Sequence, residues 1–355
     1  MAERTIAIDA FGSDRSPEIE IEAAVLAARK GHRIILVGDQ RRLERGLERH
    51  DDGRLGRLPL TLHHAPSIIT MDDSPARSIR AKPDASMPVA FQLVKEGKAQ
   101  AVVSAGNSGA MLACGLFKYG RIKGVDRPAI VSSIPGPRGS CVLLDMGANV
   151  ECRPINIVQF AVMGATFAAV ASGTSRPRVG ILANGSEATK GTELTRAADR
   201  LLRAHPSQHF HYCGYVEGGD LFTGDVDVAV TDGFTGNIAL KSIEATARAL
   251  IALVRDEIGG RRLGKMGAAL MAPALRALKK RIDPDSYGGA PLLGVDGIAI
   301  ICHGGSTAKA VISAIELATH YVDQGLTPGL HEAIRGHADL FAAAKGEGDA
   351  GKNES

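Results

Sequence analysis

Short apolar runs rich in β-branched residues alternate along most of the chain with longer stretches whose apolar positions recur three and four residues apart. A two-residue repeat puts every second side chain on one face of a strand, and a 3.6-residue repeat builds one buried stripe along a helix. The short runs predict strands at Thr5–Ile8, Arg33–Val37, Leu60–His64, Ala101–Val103, Ala129–Ser132, Cys141–Leu144, Arg178–Leu182, Val226–Val230 and Ile298–Ile301. The helical spacing predicts helices near Pro17–Lys30, Met87–Glu96, Ser108–Tyr119, Ile155–Ala171, Thr192–Ala204, Asn237–Glu257 and Thr307–Asp323. Strands alternating with helices argue for an α/β fold with a mainly parallel sheet covered by helices.

The joints between strand and helix carry the chemistry. Five are built from Gly, Asn, Ser and Asp: Asp9-Ala-Phe-Gly-Ser-Asp14, Ser104-Ala-Gly-Asn-Ser-Gly109, Leu144-Asp-Met-Gly-Ala-Asn149, Asp232-Gly-Phe-Thr-Gly-Asn237 and His303-Gly-Gly-Ser306. Glycines admit a ligand close to the backbone, and helix N-termini offer N–H groups and a positive dipole end to an anion. In parallel sheets ligands sit outside the carboxyl ends of the strands, where all five joints fall. The pattern suggests a phosphate site, with Asp9, Gly12, Ser104, Asn107, Ser108, Gly109, Asn149, Asp232, Gly233, Lys241, Gly304 and Ser306 as candidate contacts.

Each joint also has a plain structural reading. The Ser104–Gly109 turn either binds phosphate or is a capped tight turn. Asp232 either orients a cation or accepts a proton, or simply closes an aspartate turn. Lys190, inside Gly185-Ser-Glu-Ala-Thr-Lys-Gly191, either meets a phosphate or a developing oxyanion, or is a solvated loop lysine. Asn237 can donate to an oxyanion or cap a helix, and His303 can act as an acid or be structural.

Several chemistries are disfavoured. Gly follows Lys190, so that loop is not a Walker A motif, and in Gly259-Gly-Arg-Arg-Leu-Gly-Lys-Met266 a Met replaces the metal-binding hydroxyl. GxGxxG and G-x-S-x-G are both missing, which counts against a dinucleotide dehydrogenase and a serine hydrolase. Five scattered Cys form no CxxC pair, so neither disulfides nor a metal site is expected, and no cofactor is implied. A net charge of +3 with 4% aromatics gives no reason to expect nucleic acid.

The 355 residues, 45% hydrophobic and 23% charged, suit an ordinary globular protein. The N-terminus runs into a strand without a signal peptide, and the apolar stretch Phe160–Ala171 is short for a bilayer span, so the reading is cytoplasmic. No linker or repeat is evident, which favours a single domain over residues 1–344 with a helical protrusion at about 246–288. The last residues, 345–355, read as a disordered tail. From Ile258 to Ile282 there are seven Lys/Arg and no acidic residue. Within that span Leu263, Met266, Leu270, Leu275 and Leu278 recur at helical spacing, which fits a packed or dimer-facing helix, or a contact with anionic lipid or an acidic partner.

Taken in order, the motifs resemble the bacterial phosphate acyltransferases of phospholipid synthesis, from Ile6 to about Ala318. The resemblance is carried by Asp9–Asp14, Arg80-Ala-Lys-Pro-Asp-Ala-Ser-Met87, Ser104–Ala110, Asp126-Arg-Pro128, Leu143–Asn149, Glu187-Ala-Thr-Lys-Gly191, Val216-Glu-Gly218, Asp232–Asn237, Tyr287-Gly-Gly-Ala-Pro-Leu-Leu-Gly294 and His303–Ser306. Phe11, Ser13 and Asn184-Gly-Ser186 depart from the family's usual residues. The resemblance implies a Rossmann-like three-layer α/β/α fold and transfer of a long-chain acyl group from acyl carrier protein to inorganic phosphate. It also implies a homodimer and hand-over of acyl phosphate to a membrane glycerol-3-phosphate acyltransferase, with peripheral contact to anionic membrane.

Phosphate is then itself the nucleophile, so the protein supplies positioning, an oxyanion site and help for the leaving thiolate. The expected assignments give phosphate to the Asn107–Gly109 turn with Lys190, the oxyanion to Asn237, and the leaving-group proton to His303 or Lys82. Phosphotransacetylase-type transfer from acyl-coenzyme A, and a non-catalytic carrier- or lipid-binding regulator, stand as alternatives.

Overall fold

The computed structural model describes residues 4–53, 55–259, 267, 270–274, 276–277 and 288–350. Its strands are β1 (Thr5–Asp9), β2 (Arg33–Gly38), β3 (Leu60–His64), β4 (Ala101–Ser104), β5 (Ala129–Ile130), β6 (Ser132–Gly136), β7 (Gly139–Leu144), β8 (Arg178–Leu182), β9 (His211–Val216), β10 (Val228–Val230), β11 (Ala290–Leu293) and β12 (Ile298–Ile301). Its first helices are α1 (Glu18–Arg29), α2 (Gln40–Glu48), α3 (Pro75–Ala81), α4 (Ser86–Lys95), α5 (Ser108–Cys114), α6 (Pro154–Ser172), α7 (Glu193–Ala204) and α8 (Gly233–Gly259). Helices Ala308–Asp323, Leu326–Gly336 and Ala338–Ala350 follow.

The fold is α/β and mainly parallel, as expected, but the strands divide between two sheets. One has seven strands in the order β3-β2-β1-β4-β12-β11-β5, the other five in the order β6-β7-β10-β8-β9. Among the described residues, only β11, against both neighbours, and the β6–β7 pair run antiparallel. The chain crosses between sheets at Val131: Ile130 pairs with Leu292 in the first sheet, whereas Ser132 pairs with Leu143 in the second. Ala129–Ser132, expected as one strand, is therefore the seam. One continuous apolar cluster runs through both sheets, from Ile6 and Ile8 to Val179, Ile181 and Val230.

Helix α6 is 19 residues long and apolar enough to cross a membrane by length and composition, yet 72% of that stretch is buried. Its Phe160, Val162 and Phe167 are core residues, so its apolarity serves packing.

Two expectations are corrected at the C-terminal side. The terminal helix runs to Ala350, past Lys345, because Leu340, Phe341 and Ala344 anchor its first turns in the core; residues 351–355 lie outside the described residues. Helix α8 starts at Gly233, four residues before the expected Asn237, because the Asp232 carboxylate caps it by accepting from the Thr235 N–H at 2.8 Å. The distal part of α8 is exposed and apolar, with Leu250, Leu253 and Val254 more than half exposed. Of the amphipathic stretch, Leu270 is 86% exposed. Leu263, Met266, Leu275 and Leu278 lie outside the described residues.

Candidate active site

Strand register decides which joints share an edge. In the first sheet Ile8 aligns with Leu36 and Val103, and Val103 with Ile300. These strands are parallel, so the turns at Asp9–Asp14, Ser104–Gly109 and His303–Ser306 leave the same edge. In the second sheet Val230 aligns with both Leu144 and Ile181. The Asp145 turn, the Asp232–Asn237 turn and the loop carrying Lys190 therefore leave that sheet's carboxyl edge side by side.

The first group is tightly knit around a buried acid. Asp9 is 2% exposed; its carboxylate accepts from the Ser104 hydroxyl at 2.7 Å and from the Phe11 N–H at 3.2 Å. Burial pushes its carboxyl above the ordinary range, against the hydrogen bonds from Ser86, Ser104 and Phe11. The Ser104 hydroxyl also accepts from the Gly106 N–H at 3.0 Å. Gly12 lies so close to this turn that a Cβ there would come within 2.7 Å of the Gly106 nitrogen, which is why no side chain fits. The Asp14 N–H donates to the Gly304 carbonyl at 2.9 Å, tying the first turn to the last.

Exposed His303 accepts at Nδ1 from the Gly305 N–H at 3.1 Å, so in the neutral ring the proton sits on Nε2, free to be donated. Ser306 is buried beneath it. Sequence reasoning passed over Glu20, 1% exposed on α1, whose Oε1 accepts from the Ser13 N–H at 3.1 Å. The signal was an acid spaced four and seven residues before the buried Ala24 and Ala27.

An expected ligand and an expected proton donor in this group are already engaged. The Asn107 side chain caps α5 by accepting from the Ala110 N–H at 3.1 Å, and its amide donates to the carbonyls of Met71 at 2.9 Å and Asp73 at 3.2 Å. Its side chain thus fixes the 71–73 loop over the turn, while Ser108 is left exposed. The Lys82 ammonium donates to the Ile68 carbonyl at 3.0 Å and to the Asp73 carboxylate at 2.7 Å. Those bonds hold the same loop and argue against Lys82 as a proton donor.

The second group is organised by Asp145, fully buried at the seam and also passed over. Its Oδ1 accepts from the N–H groups of Ile130, Gly147 and Ala148, and its Oδ2 from the backbone and side-chain amides of Asn149. Burial raises its carboxyl in spite of these five donors. Asn149 spends its side-chain N–H groups on Asp145 and on the Pro128 carbonyl at 2.7 Å, so its task is to hold the turn rather than a ligand. Gly233 donates to the Asn149 carbonyl at 2.7 Å, and a Cβ on Gly236 would collide with the Asp145 carbonyl oxygen. Half-buried Asn237 faces Gly147, and Lys241 follows one turn later, exposed on the same face of α8. Half-buried Lys190 lies over Gly185, where a Cβ would meet its side chain at 2.8 Å.

A cavity of about 430 Å³ lies beside the second group, lined by Ala148 and Asn149 of the Asp145 turn and by Leu112 of α5. A larger hollow of about 490 Å³ opens at the opposite, amino-terminal ends of β7 and β8, away from every joint described. Burial pushes the Cys114, Cys141 and Cys152 thiols up to about 12, which makes them poor nucleophiles. Among the described residues no cluster of His, Cys, Asp and Glu could hold a metal.

Comparison with known proteins identifies the family. A family model described as fatty acid synthesis protein matches residues 4–328. A phosphate acyltransferase from Syntrophotalea carbinolica is 48% identical over 326 residues, covering 92% of this chain and 92% of the relative. One from Geobacter sulfurreducens is 46% identical over 330 residues, covering 93% and 94%. Among solved structures, a phosphotransacetylase from Staphylococcus aureus superposes with a TM-score of 0.55 at 17% identity, covering 90% of this chain and 94% of that one, a likeness of fold alone.

Proposed function

The chain belongs to the fatty acid synthesis protein family of phosphate acyltransferases, and from that premise we propose that its acyl donor is a long-chain acyl–acyl carrier protein. It is an acyltransferase of lipid and phospholipid biosynthesis that acts on phosphate. A phosphate oxygen attacks the thioester carbonyl carbon, forming the new C–O bond and a tetrahedral oxyanion. The C–S bond then breaks, sulfur leaves with the electron pair and takes up a proton, and acyl phosphate and the free carrier thiol remain.

In this reading Lys190 and the Ser108–Gly109 backbone hold the phosphate, and the Asn237 amide donates to the oxyanion. The Nε2–H of His303 protonates the leaving sulfur, which with an ordinary thiol pKa near 8.5 needs little help. Asp9, Ser104, Asn149 and Asp232 position the turns, with Lys82 and Asn107 holding the loop above. The observation that carries the reading is the shared register of Ile181, Val230 and Leu144, which sends the Lys190 loop, the Asn237 turn and the Asp145 turn off one sheet edge. The donor is tested by supplying palmitoyl–acyl carrier protein or palmitoyl-coenzyme A with phosphate and trapping acyl phosphate with hydroxylamine. Faster turnover of the coenzyme A ester would make the phosphotransacetylase-type reaction the better reading.

The product is a long-chain acyl phosphate, water-sensitive and amphiphilic, so the enzyme works best beside the membrane glycerol-3-phosphate acyltransferase that consumes it. We place it in the cytoplasm as a homodimer with peripheral contact to anionic membrane. Exposed Leu250, Leu253, Val254, Leu270 and Met271 support that contact, because clustered apolar residues on a projecting helical segment suit an interface.

A further inference from the structure

The cavity beside the Asp145 turn has a feature the reaction above does not use. It is lined by apolar Leu112, Leu116, Pro128 and Ala148 together with three guanidinium-bearing residues, Arg121, Arg127 and Arg153. Asp126 is the one acid among the lining residues. Arg153 pairs with the Asp126 carboxylate at 2.8 Å, and Arg121 donates to the Asp126 backbone carbonyl, which neutralises no charge. Three cations thus face one carboxylate. This lining is also built in place: Asn156 donates to Asp126 at 2.7 Å and accepts from the Arg153 N–H at 2.8 Å. Outside the lining, Phe117 and Val150 are 48% and 64% exposed, and the Arg80 guanidinium lies 5.2 Å from the centre of the Phe117 ring. Glu151 is the exposed acid beside them.

We infer that the acyl carrier protein docks over this arginine-lined cavity and that its thiol-bearing arm enters the active site there. The inference rests on the carrier-protein reading above. The occupant must be acidic where it meets the arginines, anionic at one point and apolar elsewhere, and long enough to reach Asn149. An acidic carrier whose arm is joined through a phosphodiester meets all of these conditions: its surface and phosphodiester face the arginines, and the arm lies over Leu112 and Leu116. Inorganic phosphate alone would leave the apolar lining unexplained, and a flat bilayer cannot fill a concavity. The volume of about 430 Å³ lies within the range of small-molecule pockets, enough for an arm but not for a protein domain.

The test uses the full chain and fluorescently labelled carrier protein bearing its arm. Arg127→Glu should weaken carrier binding about tenfold and flatten its salt dependence, because a rim charge steers an oppositely charged partner. It should raise the Michaelis constant for palmitoyl–acyl carrier protein and leave that for phosphate in place. Arg45→Glu, on exposed α2, is the control and should bind the carrier like the wild type. Wild-type affinity in Arg127→Glu overturns the inference. Loss of binding to phosphatidylglycerol vesicles with carrier affinity intact overturns it as well, by assigning the arginines to lipid. If the wild type binds carrier through these arginines yet makes no acyl phosphate, docking stands and the reaction reading falls.

Discussion

Glu20 should make the protein less stable as the pH rises from about 4.5 to about 7. Glu20 is 1% exposed, and its carboxyl has one oxygen bonded to the Ser13 N–H while Oε2 and the nearby Ser13 hydroxyl have no hydrogen-bond partner among the described residues. Burial pushes it from 4.5 up to about 7, and the charge of Asp9 adds to the rise. A folded-state pKa above the unfolded one means that the native state holds the proton more tightly. The stabilisation is complete below about pH 4.5 and is lost as the pH rises to about 7, a change of about 3 kcal/mol at 1.36 kcal/mol per tenfold. Glu20→Gln keeps the acceptor for Ser13 and cannot ionise. It should match the wild type near pH 4.5 and gain up to about 3 kcal/mol at pH 8, about 4 °C in melting temperature for a chain of this length. Thermal unfolding followed by circular dichroism from pH 4.5 to 9 measures the difference. Parallel curves for the two proteins would show that the carboxyl is charged in the fold at no cost, and would refute the argument.

Three further outcomes are expected. Lys190→Ala and Asn237→Ala should each cut turnover by about 10²–10³ if they stabilise developing charge, and wild-type rates in either remove that role. Gly236→Ala must displace the Asp145 backbone and should destabilise the protein by about 1–3 kcal/mol, so an unchanged melting temperature would mean the turn gives way freely. Leu270→Glu combined with Leu275→Glu should abolish flotation with phosphatidylglycerol vesicles, and undiminished flotation would discard the membrane contact.

The sequence disclosed the site's framework better than its detail. β-branched runs ending in small-residue turns located the strands that bear the site, because burial on both faces imposes an apolar run that a surface strand lacks. Strands such as β9, His211–Val216, escaped because His211 and Cys213 are exposed and no apolar run marks it. Helix α2 escaped because only Leu43 and Leu47 of its nine residues are buried, too thin a stripe to read. Side-chain roles were less legible than positions. Asn107 and Asn149 were read as ligands and Lys82 as a proton donor because their types suit those tasks, yet each is engaged by backbone or carboxylate groups elsewhere in the chain. Asp145 stood inside a quoted motif and was passed over, since only the fold brings Ile130 to its carboxylate.

The central claim is that phosphate attacks the thioester directly, with no acyl-enzyme. It is tested by mixing excess enzyme with palmitoyl–acyl carrier protein, first without phosphate and then with it, and measuring free thiol and hydroxylamine-trapped acyl phosphate. The account predicts no thiol until phosphate is added, and then thiol and hydroxamate in equal amounts. A stoichiometric burst of thiol before phosphate is present would reveal a covalent intermediate and contradict it.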